Sequence, residues 1–197
     1  MPDDGLSETR QGAQWKGGGP GLAPHGNGPH GAACAGRSHP HRMDPRLLVY
    51  VLAVLLHVLF LAAWFGLGLR LAAQARTAVA AEPAAGAAFA ADGSRTVALM
   101  GIFVVLGYAF ALAAFFANGG FAAYTPPYHM AVGLGLALVA VHWLLVRPAW
   151  ARLRATVGGA EAQAARGRIA MGVGIGHLLW LVLLVLMFWD RLVLAAE

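Results

Sequence analysis

The sequence has few charged residues and a single cysteine. Charged residues make up 12% of its 197 residues, whereas soluble domains carry about 25%. Hydrophobic residues reach 59%, and the mean hydropathy is +0.63. This composition excludes an ordinary water-soluble enzyme. Cys34 has no second cysteine to pair with in this sequence, which excludes a disulfide scaffold.

The basic net charge of +5 does not indicate a nucleic-acid partner. Lys16 is the only lysine, and the arginines stand at the ends of apolar runs. Arginine in that position is typical of membrane proteins, so the expected partner is a lipid bilayer and not a nucleic acid. The bias towards Ala, Gly, Leu and Arg indicates a GC-rich bacterial genome.

Four apolar runs have the length of a membrane-spanning helix, about 20 residues for a core about 30 Å thick. Each run is bounded by charged or turn residues. The runs are residues 47–69, 97–117, 128–146 and 169–189. One such run can be a buried helix of a soluble protein, but four in succession predict an all-α polytopic membrane protein. The expected architecture is an up-and-down bundle of four transmembrane helices within residues 46–197.

Residues 1–45 have a different composition, rich in Gly, Pro and His and without apolar periodicity. This pattern predicts a disordered N-terminal tail. Met43 stands directly before the first helix, so a natural start at Met43 is the alternative.

The arginines predict the orientation of the bundle. They are frequent after the first and third runs, whereas the segment between the second and third runs has no charge. The first and third loops are therefore expected on the cytoplasmic side and both termini outside. Within the third loop, residues 148–156 are expected either as a short amphipathic surface helix or as a basic loop.

Histidines are the polar residues that point to chemistry. The interiors of the four runs lack Asp, Glu, Lys and Arg but contain His57, His142 and His177. Without a buried carboxylate or arginine, a proton-coupled transporter and a voltage sensor are not expected. Neutral imidazole is a ligand for haem iron and for copper.

Counting residues from the ends of the runs places two histidines near the midplane. His57 lies about 16 Å and His177 about 14 Å from the nearer end of its run, at about 1.5 Å per residue. We therefore expect both as axial ligands of a b-type haem iron in redox or electron-transfer chemistry, with His142 as the substitute. Trp64, seven residues after His57, shares its helix face and is expected to line the cofactor site.

Two alternatives stay open. Small residues beside the histidines also allow close helix packing without a cofactor. The chain is then a non-catalytic small membrane subunit or assembly factor, in a homo-oligomer or a membrane redox complex. Copper transport is the further alternative.

Two segments resemble the CopD-like and HemJ-like superfamily of four-helix bacterial inner-membrane proteins. In LAVLLHVLFLAAWFGLGLRLAAQAR, His57 precedes the W-F-G sequence Trp64–Gly66 and a basic end. In YHMAVGLGLALVAVHWLLVRP, His129 and His142 fill the places of the paired histidines.

This resemblance implies a small helical bundle in the inner membrane. HemJ-like members are associated with b-type haem and protoporphyrinogen oxidation, and CopD-like members with copper uptake or tolerance. HemJ-like proteins carry a lysine two residues after the first paired histidine, where this chain has Ala131. That difference argues against protoporphyrinogen oxidase activity and leaves open whether the chain is an enzyme.

Overall fold

The computed structural model describes residues 44–194, which are almost entirely helical and contain no strand. A 3-10 turn, Gly120–Ala122, precedes α3, and a π-helical turn, His142–Val146, joins α3 to α4. The helices are α1 Pro45–Ala80, α2 Pro83–Ala117, α3 Pro126–Val141, α4 Arg147–Thr156, α5 Glu161–Met187 and α6 Trp189–Leu194. The expected N-terminal tail lies, up to residue 43, outside the described residues, as does the alternative start.

Four helical segments are long and apolar enough to cross a membrane: α1, α2, α5 and the continuous stretch Pro126–Thr156. Large apolar side chains on their outer faces stay exposed, among them Leu55, Leu144 and Leu178. Side chains of this kind are suited to lipid contact. The chain is therefore a multi-pass integral membrane protein, and the prediction of an all-α four-helix bundle is confirmed.

The helices are longer than the apolar runs that predicted them. The first run ends at residue 69, whereas α1 continues to Ala80, and α2 begins at Pro83 and not near residue 97. The added turns are rich in alanine, which has the highest helix propensity. Across this hairpin Asp92 on α2 accepts hydrogen bonds from Gln74 at 2.8 Å and Arg70 at 3.4 Å. The apolar run therefore ends at charged residues, but the helix continues beyond them.

A heptad seam joins α1 to α2. One series of buried positions on each helix alternates in steps of four and three residues. It comprises 57, 61, 64, 68, 71, 75 and 78 on α1, and 86, 90, 93, 97, 100, 104 and 107 on α2, where Thr96 and Gly101 beside it are also buried. This repeat of 3.5 residues is that of left-handed coiled-coil packing. Small residues bring the backbones close together, since an added Cβ at Gly107 would lie 2.7 Å from the Leu61 side chain.

Helix α5 packs against α1 and α3 in the same way. Gly172 faces Val146, and Gly176 faces the Trp64 ring, with 3.0 to 3.1 Å between these side chains and an added Cβ. Small residues at helix contacts are the usual basis of close packing in membranes. The buried core therefore runs between α1, α2, α3 and α5.

The basic segment after the third run is helical, but it does not lie free on the membrane surface. Helix α4 buries Ala149, Trp150 and Leu153 against its neighbours. The Trp150 indole N–H donates to the Ala90 carbonyl oxygen and the Ser94 hydroxyl, each at 3.2 Å. The alternative of a basic loop is therefore wrong.

The contact between Trp150 and α2 depends on glycine at position 93, because an added methyl group there would overlap the indole ring. We expect Gly93→Ala to lower the free energy of unfolding by about 1–3 kcal/mol, the usual cost of overpacking. The measurement is unfolding of the detergent-solubilised protein. Gly133→Ala is the matched control, since nothing lies within 4 Å of its added Cβ. Equal stability of the two variants would contradict this account of α4.

A candidate ligand groove beside His142

His57 lies in the α1–α2 seam with 9% of its surface exposed. Its Nδ1 is 2.8 Å from the carbonyl oxygen of Gly107 on α2. A carbonyl oxygen only accepts, so Nδ1 carries the proton and donates. The side chain therefore joins two membrane-spanning helices, which is the structural role that the sequence left open for each histidine.

His177 lies in an aromatic setting between α1 and α5. Its ring stacks on Phe65 at 4.1 Å between ring centroids and meets Trp64 edge-on at 5.6 Å. Its Nε2 points at Gly68, where an added Cβ would be 2.7 Å away. This nitrogen and the indole nitrogen of Trp64 are enclosed, and neither has a hydrogen-bond partner among the described residues.

The packing places His57 and His177 at different levels of the bundle. Gly68, which His177 touches, comes eleven residues after His57 on α1. Eleven residues correspond to about 16 Å along a helix. The expectation of equal depth is corrected, because it was counted from the ends of apolar runs and not from helix contacts. The assignment of each ring as an iron ligand stays a prediction.

His142 shares the level of His177. An added Cβ at Gly68 would lie 3.5 Å from the Met100 side chain, and the next residue, Gly101, faces the His142 ring. The structure thus brings Trp64 and His177 into contact, places His142 at the same level, and separates all three from His57. Met100, 1% exposed, fills the adjacent space inside the bundle.

His142 opens the π-helical turn and is 2% exposed. An added Cβ at Gly101 would lie 2.9 Å from its Nε2, and its Nδ1 is enclosed without a partner among the described residues. The turn follows from Pro148, which has no N–H and whose ring would crowd the carbonyl of Leu144 in a regular helix. Single π-helical turns are frequent at functional sites.

A groove of about 630 Å³ runs along the side of the bundle, between α2 and the α3–α4 stretch. His142 lies at its base. Its α2 wall is apolar and includes Val97, Ala98, Gly101, Ile102 and Val105. Its other wall carries Trp143 and two arginines, Arg147 and Arg154. We call this cavity the His142 groove.

The two arginines make one end of the His142 groove positive. The guanidinium carbon of Arg147 lies 4.6 Å from the Trp143 ring centroid, a cation–π contact that holds this side chain at the groove wall. No Asp or Glu lines the groove, and the ion pair formed within residues 44–194 joins Arg70 to Asp92 instead. The groove is therefore apolar along α2 and cationic towards α4.

Sequence reasoning named His142 but missed the groove and its arginines. In the sequence both arginines indicate the orientation of the bundle and a short amphipathic surface helix, and not the wall of a groove. The available signal was the spacing of Arg147, Ala151 and Arg154, which at i, i+4 and i+7 share one helix face. The opposing α2 wall is not visible in that spacing, since it depends on how α2 meets α3.

His129 lies far from this groove, at the opposite end of α3. It meets Phe121 edge-on, at 5.1 Å between ring centroids. Within residues 44–194 no three His, Cys, Asp or Glu side chains lie close enough together to hold a metal ion.

The bond between His57 and Gly107 supports a stability prediction. Hydrogen bonds between membrane helices contribute about 0.6 kcal/mol on average and up to about 1.7. We expect His57→Ala to lower the free energy of unfolding by about 1–2 kcal/mol, because packing is lost with the bond. Unfolding in detergent or bilayer measures it. Val58→Ala, a truncation of the adjacent lipid-facing side chain, is the control, and an equal loss in both variants would assign no structural weight to the bond.

Comparison with known proteins adds no relative to this description. The chain matches no protein-family model, no curated protein and no solved structure.

Proposed function

We propose that this integral membrane protein binds b-type haem in the His142 groove and takes part in redox or electron-transfer chemistry. The observation that carries the proposal is the His142 imidazole, buried in a membrane-spanning segment, with a ring nitrogen that has no partner among the described residues. An imidazole in this setting is a common axial ligand of haem iron. Bound haem would supply one-electron chemistry.

The groove walls suit a flat apolar ligand. The His142 ring packs over Gly101, and Ala98, Ile102 and Val105 form an apolar wall along α2. These side chains would exclude water from one face of the ligand. The volume of about 630 Å³ supports a ligand of tetrapyrrole size.

The iron ligand in this proposal is His142, which the sequence analysis gave as the substitute for His57 or His177. His57 is engaged with Gly107, and neither His57 nor His177 lines the groove. Of these three histidines only His142 lines the groove, so its imidazole would hold the iron.

The orientation that we propose for the bundle in its membrane is based on the distribution of arginine. The arginine-rich ends of the helices would face the cytoplasm of a bacterial cell, by the excess of arginine on that side. The groove opens on the side of the bundle, where a second copy of the chain or a membrane redox partner would approach.

A structural role for the histidines is the second candidate function. The bond from His57 to Gly107 favours it, since this imidazole already has a partner in the protein. In that case the chain is a small subunit of a larger assembly. Blue-native electrophoresis would then show a stoichiometric complex that contains no cofactor.

The test of haem binding is an absorption spectrum of the purified protein, oxidised and reduced, after expression with sufficient haem. We expect a Soret band in the wild type and loss of most bound haem in His142→Ala. Adding imidazole to His142→Gly should restore the band, because free imidazole can enter the space of the missing ring.

The matched controls are His57→Ala and His177→Ala, the same truncation in the other membrane histidines. Both are expected to keep their haem. Loss of the band in either of these two, with His142→Ala unaffected, would overturn the groove site. A featureless wild-type spectrum at good yield would favour the structural subunit, and metal analysis would then test copper.

A further inference from the structure

We propose that the His142 groove binds an anionic phospholipid, with the lipid phosphate at Arg147 and Arg154 and one acyl chain along the apolar α2 wall. The inference goes beyond the proposed function and does not rest on it. An acyl chain and haem would exclude each other along this wall, so the lipid is the occupant of the haem-free protein.

The groove is positive at one end and apolar at the other. Arg147 and Arg154 line it towards the end of the membrane span, whereas Ile102 and Val105 line it further along α2. Neither arginine forms an ion pair within residues 44–194, and no Asp or Glu lines the groove. A phospholipid has the same arrangement, since its phosphate lies at the membrane surface and its acyl chains extend inward. Basic pockets between membrane-spanning helices bind lipid headgroups in this way.

The length of the groove is close to that of one bilayer leaflet. Its α2 wall extends from Ser94 to Leu106, and twelve residues of helix correspond to about 18 Å. Half of a hydrocarbon core about 30 Å thick is about 15 Å. Trp150, which packs on Gly93, marks the charged end of the groove. An acyl chain that begins beside Trp150 therefore has an apolar wall along most of its leaflet.

The two arginines are placed to hold a phosphate between them. Arg147, Ala151 and Arg154 follow one another on α4 at spacings of four and three residues, which places them on one helix face. The small side chain of Ala151 leaves room between the two guanidinium groups. Guanidinium is well matched to phosphate, because it donates two parallel hydrogen bonds to the phosphate oxygens.

The Arg147 side chain is ordered before a lipid arrives. Its cation–π contact with Trp143 holds it at the groove wall, so part of the entropy cost of fixing this long side chain is already met. Trp143 is itself 43% exposed, and tryptophan is enriched at the level of lipid headgroups. The open side of the groove thus has the residues of a membrane interface.

A second copy of this chain is the competing occupant. It would bring an apolar helix to the groove, and the four apolar runs contain no Asp or Glu to meet the two arginines. A phospholipid supplies both the apolar chain and the negative charge in one molecule. The experiment therefore has to distinguish bound lipid from a dimer.

The experiment is native mass spectrometry of the full chain, purified from cells grown without added haem. The detergent carries equal amounts of phosphatidylglycerol and deuterated phosphatidylcholine with the same acyl chains. We expect the wild type to retain phosphatidylglycerol in preference. Arg147→Gln and Arg154→Gln should each lower this preference about fivefold, the effect of losing one arginine beside an anionic lipid. Arg152→Gln is the matched control, an exposed arginine of α4 that does not line the groove.

A second arm leaves the charges unchanged and fills the apolar part of the groove. Ala98→Phe places a ring on the α2 wall where the acyl chain would lie, and it should abolish retention of phosphatidylglycerol. Leu99→Phe is its control, because Leu99 is 44% exposed and does not line the groove. Size-exclusion chromatography establishes that each variant is folded.

Three outcomes would overturn the proposal. Equal lipid preference in the three arginine variants would mean that net charge, and not the groove, attracts the lipid. Equal retention by Ala98→Phe and Leu99→Phe would mean that no acyl chain lies on the α2 wall. A lipid-free dimer of the wild type that Ala98→Phe dissociates would assign the groove to a second copy. None of these variants alters His142, so each outcome is separate from the test of haem binding.

Discussion

Close contact between helix backbones is the constraint on which the rest of the structure depends. Lipid tails are as apolar as leucine, so membrane helices gain little from burying apolar surface and are held by tight packing instead. In this chain the heptad seam of α1 and α2, with Gly107 against Leu61, supplies that packing. The seam sets how far one helix slides past the other, and it thereby places His57 at the Gly107 carbonyl.

The interior between the helices is tightly packed, and the His142 groove lies on the side of the bundle. Met100, Leu138 and Trp64 fill the layer between His142 and His177, each at most 3% exposed. The His142 groove lies instead between α2 and the α3–α4 stretch, beside the π-helical turn that begins at His142. Pro148 favours this π-helical turn, because it has no N–H and its ring would crowd a regular helix. The groove therefore has an irregular backbone beside His142.

The arginine-rich end of the bundle is closely packed, as its apolar centre is. Helices α1 and α2 continue beyond their apolar runs, and Trp150 fits against Gly93 and donates to α2. This contact holds α4 beside α2 along its length. Arg147 and Arg154 consequently stand on the wall of a groove and not on a free surface helix.

The sequence by itself determined the fold class, the number of membrane spans and which polar residues lie inside the spans. Length, hydropathy and the positions of arginine are local properties, and a bilayer leaves a long apolar segment no structure but a helix. The three histidines inside the spans were visible for the same reason, as polar exceptions in apolar runs. The relative level of those histidines was decided by tertiary structure alone. Depth counted from the ends of a run carries no information on which glycine of one helix meets which side chain of the next, and that contact separated His57 from His177 and formed the groove at His142.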